Sequence, residues 1–178
     1  MGRSAATGMV TLRHTAQLTA DDLATARALC DVSFDDFGDA DWEHALGGLH
    51  ALVHDTGTLV AHGAVVMRRM LHAGRALRCG YVEAVAVHPD HRRRGHGDAV
   101  MAELETLAPA YDLLALCSSR QGRALYEARG WSLWRGPTAA LTPDGVMPTP
   151  DEDSIYVLGG PVDLDGPIAC DWRAGDLW

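Results

Sequence analysis

Residues 80–97 read GYVEAVAVHPDHRRRGHG, and this stretch decides how the rest of the chain is interpreted. Val82, Ala84, Val85, Ala86 and Val87, interrupted only by Glu83, form an apolar run of strand length. Pro89 lacks the N–H that a continuing strand needs, so His88-Pro89-Asp90 ends it. Arg92-Arg93-Arg94-Gly95-His96-Gly97 follows, then a segment of helical period to about residue 108 with Val100, Met101, Leu104, Leu107 and Ala108 on one face. A strand, a glycine-spaced basic loop and a helix N-terminus make a cradle for an anion. The glycines let backbone N–H groups approach a phosphate, and the helix dipole favours its charge. A basic loop at a helix start that holds no ligand is the plainer alternative. Neither G-x-G-x-x-G nor Gly-Lys-Ser/Thr occurs, which excludes the dinucleotide and Walker patterns.

Working outward, 178 residues with 47% hydrophobic content suit one domain with a full core, expected over residues 9–178 behind a flexible 1–8 segment. No apolar run approaches the roughly 20 residues of a membrane span, and residues 1–8 have no apolar stretch of signal-peptide type. Cys30, Cys79, Cys117 and Cys170 are widely spaced and form no metal or C-x-x-C pattern, so free thiols in a reducing cytoplasm are expected. All 15 basic residues are arginine. Seven of them fall in residues 68–94 beside only Glu83 and Asp90, whereas residues 139–178 carry eight acids and Arg173 alone. A net charge of −9 argues against nucleic acid as the partner. The polarity suits a molecule holding an anion in its middle and a cation near its end; acids that merely keep loops solvated are the alternative for most of them.

Met9–His14 reads as a strand and residues 18–34 as a helix, capped by Thr19 or Asp21, with Leu23, Ala26, Ala28 and Leu29 inward. Residues 41–46 suit a second, short helix. Residues 49–54 and 59–70 form a hairpin through Asp55-Thr56-Gly57. After the loop and its helix come a strand at 111–117 and a helix from Ser118 or Ser119 to Arg129, ended by Gly130. Closing strands follow at 131–135 and 155–158, around a proline-marked loop at 136–154 expected to be irregular. The order predicts an α/β fold, a mixed sheet with flanking helices.

The R-x-x-G-x-G spacing from Arg92 to Gly97, placed between strand and helix, resembles the pyrophosphate loop of GNAT-type N-acetyltransferases. Further stretches are similar to the aminoglycoside 2′-N-acetyltransferases within that superfamily. They are Asp41-Trp42-Glu43-His44 through Ala51, Leu77 through Glu83, Leu125-Tyr126 with Arg129-Gly130-Trp131, and Cys170-Asp171-Trp172-Arg173-Ala174-Gly175-Asp176-Leu177-Trp178. The resemblance implies a single GNAT-type domain whose acetyl-CoA-binding strand pair is splayed. It also implies acetyl-CoA as co-substrate, a cationic amino sugar as acceptor, a homodimer, and a role in antibiotic resistance.

Acetyl transfer from a thioester to an amine needs an unprotonated amine, a polarised carbonyl, a proton for the departing thiolate and a held co-substrate. Glu83 is the base candidate, being the ionisable group set in an apolar strand beside the loop, where burial raises a carboxyl's pKa toward the working range. A buried glutamate paired with Arg78 or another arginine is the other reading. Tyr126 is the candidate acid by resemblance, with simple core packing as its alternative. The co-substrate is assigned to Val85, Ala86 and Val87, through backbone groups, and to Arg92, Arg93, Arg94, Gly95, His96 and Gly97.

A polycationic acceptor asks for carboxylates. Asp36, Asp41, Asp151, Glu152, Asp176 and the terminal carboxylate of Trp178 are the matches, with Ala84 and Ser118 beside them. Glu152 stands where the family tends to carry aspartate, Asp35 is an alternative to Asp36, and helix capping explains Ser118 equally well. The nine histidines show no H-E-x-x-H or other ligand spacing, so no metal is expected. Cys117 lacks a paired base in sequence, which argues against an acyl-enzyme. The rival readings are an acetyltransferase for another cationic amine (kasugamycin, a cell-wall amino sugar or a peptide) and a non-catalytic CoA-binding sensor.

Overall fold

Thr19 starts the first long helix by reciprocal capping: its hydroxyl accepts from the Asp22 N–H at 3.1 Å, while Asp22 accepts from the Thr19 N–H at 2.9 Å. A computed structural model of the chain describes residues 9–178, so the expected flexible segment 1–8 lies outside the described residues. The chain divides into two compact units: residues 9–66 with Glu83–Thr106, and Met67–Val82 with Leu107–Trp178. Strands β3 and β4 belong in part to each.

In the first unit, β1 (Met9–His14) pairs antiparallel with β2 (Leu49–Asp55), which pairs antiparallel with the first part of β3 (Thr58–His72). The β2–β3 turn works because Thr56 and Gly57 take φ of 48° and 84°, the twist a two-residue hairpin needs. Helix α1 (Ala20–Ser33) buries Ala26, Leu29 and Cys30, spaced for one face. Ala28, expected inward, is exposed, and Cys30 completes the face instead. Helix α2 is Asp39–His44, two residues earlier than expected, because Asp41 caps it by accepting from the Gly38 N–H at 2.7 Å. Helix α3 (His96–Glu105) presses Val100 and Leu104 onto the sheet at Gly63, where a Cβ would stand 2.6 Å from Val100 Cγ1. Only glycine permits that approach.

In the second unit the strand order is β6-β9-β5-β4-β3-β10-β7-β8. β4 (Arg75–Val87) starts earlier than expected, returning from β3 through Ala73-Gly74. It pairs parallel with β5 (Leu113–Cys117) only from Cys79–Leu113 to Tyr81–Ala115. The ladder stops there, though β4 runs on to Val87 and β5 to Cys117. A second parallel pair, β10 (Ile168–Cys170) with β7 (Thr138–Thr142), makes the sheet mixed. The rest is antiparallel, with β6 (Ser132–Leu133) and β9 (Ile155–Leu158) at one end.

Two expectations fail in this unit. The segment expected to be irregular holds a hairpin, β7 with β8 (Gly145–Pro148), because its prolines sit before, between and at the end of the strands, where no ladder N–H is lost. The helix expected from residue 118 is only α4 (Arg123–Ala128). Ser118 donates its hydroxyl to the Ser119 carbonyl at 2.7 Å and so caps nothing, whereas Ser119 Oγ accepts from the Gly122 N–H at 3.3 Å in the turn that leads into α4.

The central arginine run is not all anion-facing. Arg68 is buried, donates from Nε to Asp171 at 2.8 Å, and lies 4.7 Å above the Tyr81 ring. Arg78 pairs with Asp112 at 3.3 Å. These two arginines hold strands to loops within the second unit.

Candidate active site

In the first unit, β4 ends in a 3₁₀ turn, Pro89–His91, that His88 caps by accepting from the Asp90 N–H at 3.2 Å. The basic loop then takes left-handed backbone at Arg93 (φ 58°) and at Gly95 (φ 84°) before α3 starts. Left-handed residues alternating with ordinary ones turn successive N–H groups toward one point, an anion nest. A Cβ at Gly95 would meet nothing within 4 Å, so the backbone there is open to a ligand. No side chain caps α3, which leaves its first-turn amides for an anion. Arg92, Arg93, Arg94 and Gly95 are exposed, whereas His96 is buried and Gly97 half-buried. Arg92 also has local work: it donates to the carbonyls of Ser33 at 2.9 Å and Val87 at 3.3 Å, fastening the loop to α1 and β4.

Next to Glu83, which is half-buried, Ala84 adopts φ 51°. A left-handed non-glycine residue costs on the order of 1–3 kcal/mol and persists only if its surroundings enforce it. Ala84 is held from two sides: its carbonyl lies 2.9 Å from His62 Nδ1, and its side chain packs with Leu29, Phe34 and Phe37. Because a carbonyl only accepts, His62 carries its proton on Nδ1, and its Nε2 must accept from His50 Nδ1 at 2.9 Å. His50 Nε2 in turn accepts from the Thr15 hydroxyl at 2.7 Å. The Ala84 carbonyl, which can only accept, therefore sets the direction of the whole chain. Both rings are buried, and burial, above all, lowers each pKa to about 4, so both are neutral at pH 7. Sequence spacing held no sign of this relay, because the two histidines meet only through β2–β3 register. Trp42 of α2 lies 5.9 Å from His62, ring to ring, and Ala84 and Ala86 pack with Leu29, Phe34 and Phe37. Asp36 is exposed beside this apolar group, and the Asp41 carboxylate serves as the cap of α2.

In the second unit, Tyr126 of α4 is 7% exposed, its ring 6.1 Å from Trp131 and 6.3 Å from Tyr156. Gly122 makes room for it, since a Cβ there would stand 2.8 Å from Tyr126 Cε2. Burial, with a smaller contribution from Cys117, pushes the phenol up to about 12, so it stays protonated near neutrality. Asp151, Glu152, Asp176 and Trp178 come together around a cavity of about 570 Å³ that Cys117, Thr149 and Leu177 also line. Trp178 is anchored there: its indole N–H donates to Thr149 Oγ1 at 3.0 Å, and Arg173 donates to the Trp178 carboxylate at 3.0 Å and to the Asp176 carbonyl at 2.6 Å, so this carboxylate already has a cationic partner. Glu152 is oriented by accepting from the Ser154 N–H at 3.0 Å, whereas Asp151 and Asp176 are exposed. Ser118, at the end of β5, is buried.

A strand leading into an open anion nest at a helix start suits the pyrophosphate of an acyl-CoA. Residues 14–134 match the acetyltransferase (GNAT) domain family. The chain is 48% identical over 176 residues to the aminoglycoside 2′-N-acetyltransferase of Mycolicibacterium fortuitum, covering 94% of this chain and 90% of that relative. It belongs to the GNAT N-acetyltransferases and, within them, to the aminoglycoside 2′-N-acetyltransferase family. Among solved structures, the GNAT family N-acetyltransferase YhbS of Escherichia coli, in complex with CoA, superposes with a TM-score of 0.62 at 17% identity, covering 95% of this chain and 92% of that one. A GNAT family acetyltransferase of Brucella melitensis, in complex with acetyl-CoA, gives 0.59 at 16% identity, covering 94% and 97%. At such identities the likeness is one of fold. Among the described residues, no helix is long and apolar enough to cross a membrane.

Proposed function

We propose that this N-acetyltransferase moves the acetyl group of acetyl-CoA directly onto the 2′-amine of aminoglycoside antibiotics, as a cytoplasmic homodimer that confers resistance. The observation that carries the acceptor assignment is the cavity bearing Asp151, Glu152 and Asp176, which supplies the charge-assisted hydrogen bonds a desolvated polycation requires. The name of the 48%-identical relative supports the same acceptor.

The pyrophosphate of acetyl-CoA binds the amides from Arg93 to Gly97, and the arginines of the loop neutralise its charge. The backbone of Val85–Val87 holds the pantetheine arm and polarises the thioester carbonyl. Glu83 takes a proton from the acceptor ammonium, directly or through water. The amine nitrogen attacks the thioester carbon, the C–N bond forms, the C–S bond breaks, and nitrogen gives up its second proton. One proton ends on the CoA sulfur and one leaves to solvent. Tyr126 serves the sulfur. A phenol at about 12 cannot fully hand its proton to a thiolate whose acid has a pKa of about 8.5 without uphill cost. Its first contribution is a hydrogen bond to sulfur as charge develops, and the proton follows from the attacking nitrogen.

The deciding experiment is CoA-thiol release measured against aminoglycosides with and without a 2′-amine. Turnover confined to the former, with mass spectra one acetyl heavier, is expected. Equal turnover of compounds lacking that amine would overturn the regiochemistry.

A further inference from the structure

Three metal-ligating side chains that the transfer chemistry does not use meet in the first unit. Asp55 closes β2, His91 ends the 3₁₀ turn before the arginine loop, and His96 opens α3. One ligand atom from each lies within 4.8 Å of the others. The two rings are 6.1 Å apart and tilted by 51°, so they are not stacked on each other.

Two features separate this group from an ordinary surface ion pair. His96 is only 5% exposed, and its Nε2 has no hydrogen-bond partner among the described residues. His91 Nδ1 is likewise shut off from solvent without a hydrogen bond, its nearest carboxylate oxygen being Asp55 Oδ2 at 3.7 Å. A buried polar nitrogen left unsatisfied is disfavoured, and one on each of two neighbouring rings that have a carboxylate within reach calls for a shared partner. Two imidazoles and a carboxylate are the donor set of borderline divalent metals, zinc and cobalt among them.

We propose that Asp55, His91 and His96 bind one divalent transition metal ion of the zinc class, which staples the arginine loop to the β2–β3 hairpin. Tetrahedral bonds of about 2.0–2.2 Å set ligand atoms about 3.3 Å apart. On metal binding the spacing closes to that value, and Asp55 and His91, whose side chains are 34% and 27% exposed against a buried His96, are the ligands with the most room to adjust. The same exposure gives the ion its way in, and water takes the fourth position. His91 and His96 bracket residues 92–95, so the ion fixes both ends of the loop that presents the anion nest. Asp55 offsets one of its charges, leaving net positive charge beside that nest. The ion stands outside the acetyl transfer itself.

The test uses the full chain after treatment with a chelator and without acetyl-CoA, so its failure leaves the proposed reaction untouched. Titration calorimetry with ZnCl₂ should give one site per chain. Asp55→Asn and His91→Asn should each weaken it at least about tenfold, the lower end of what losing even an outer-sphere partner does to a metal site. Zn²⁺ should raise the melting temperature of the parent protein more than that of either variant at the same metal concentration. CoCl₂ should give tetrahedral ligand-field bands without thiolate charge transfer, which separates this site from the exposed Cys117. Both changed side chains are partly exposed, and circular dichroism checks that each variant folds. Undiminished binding in both folded variants, a cobalt–thiolate band, or no binding at micromolar metal would each overturn the proposal.

Discussion

Lowering the pH from 7.5 to 4.5 should unload the buried His50–His62 pair and cost the protein several kcal/mol of stability. Each ring has its pKa depressed by burial from an ordinary 6.5 to about 4. The unfolded chain therefore takes up protons first as pH falls. The contribution of the pair is complete above about pH 6.5 and drains away down to about pH 4. At 1.36 kcal/mol per pKa unit this is roughly 3 kcal/mol per histidine, of which about 2.5 has gone by pH 4.5. One hydrogen bond links the rings, so the losses are not additive, and about 3–5 kcal/mol for the pair is the working range. That is a large part of the 5–15 kcal/mol typical of a folded protein. Asp22, Asp112 and Asp165, held below the ordinary carboxylate value by hydrogen bonds to Thr19, Arg78 and Arg135, lose their contributions only below about pH 4, outside this window. Urea unfolding at several pH values, repeated on the His50→Gln/His62→Gln double variant, measures the effect. A loss under about 1 kcal/mol in the parent protein, or an equal loss in the double variant, would refute the neutral, buried relay.

Four further outcomes are expected from kinetics and binding. Glu83→Gln should lower turnover about 10²-fold or more, with the deficit shrinking at high pH, where the amine is already neutral; a pH–rate profile reads this directly. Tyr126→Phe should reduce kcat while leaving the acceptor KM within about twofold, as removal of a group that acts only on the departing sulfur requires. Gly97→Val should abolish acetyl-CoA binding in calorimetry while the circular dichroism spectrum stays native, because the added bulk stands in the first turn of α3, whose amides the pyrophosphate takes. Asp176→Asn should raise the acceptor KM at least about tenfold, the scale of one charged hydrogen bond, and added salt should narrow the gap.

What the sequence determined by itself is local. The apolar run at 82–87, the proline after it, the arginine–glycine spacing and the helix from His96 all follow from neighbouring residues, and so do the Thr19–Asp22 cap and the Thr56-Gly57 turn. The acids at 151, 152 and 176 were legible as a class, and tertiary structure gathered them around one cavity. Pairing over long separations was not legible. The prolines at 137, 143 and 148 read as breakers of structure, yet β7 and β8 form between them because β10 supplies a parallel neighbour about thirty residues further on. Arg68 read as one of seven arginines in a central run suited to an anion, yet it is buried against Asp171, more than a hundred positions away. The His50–His62 relay and the Asp55–His91–His96 group likewise depend on strand register and on where a helix starts. The physical reason is common to all of these. Periodicity and turn chemistry select an element from its own residues, whereas the partner of a buried polar group is selected by whatever the folded backbone brings within hydrogen-bonding reach.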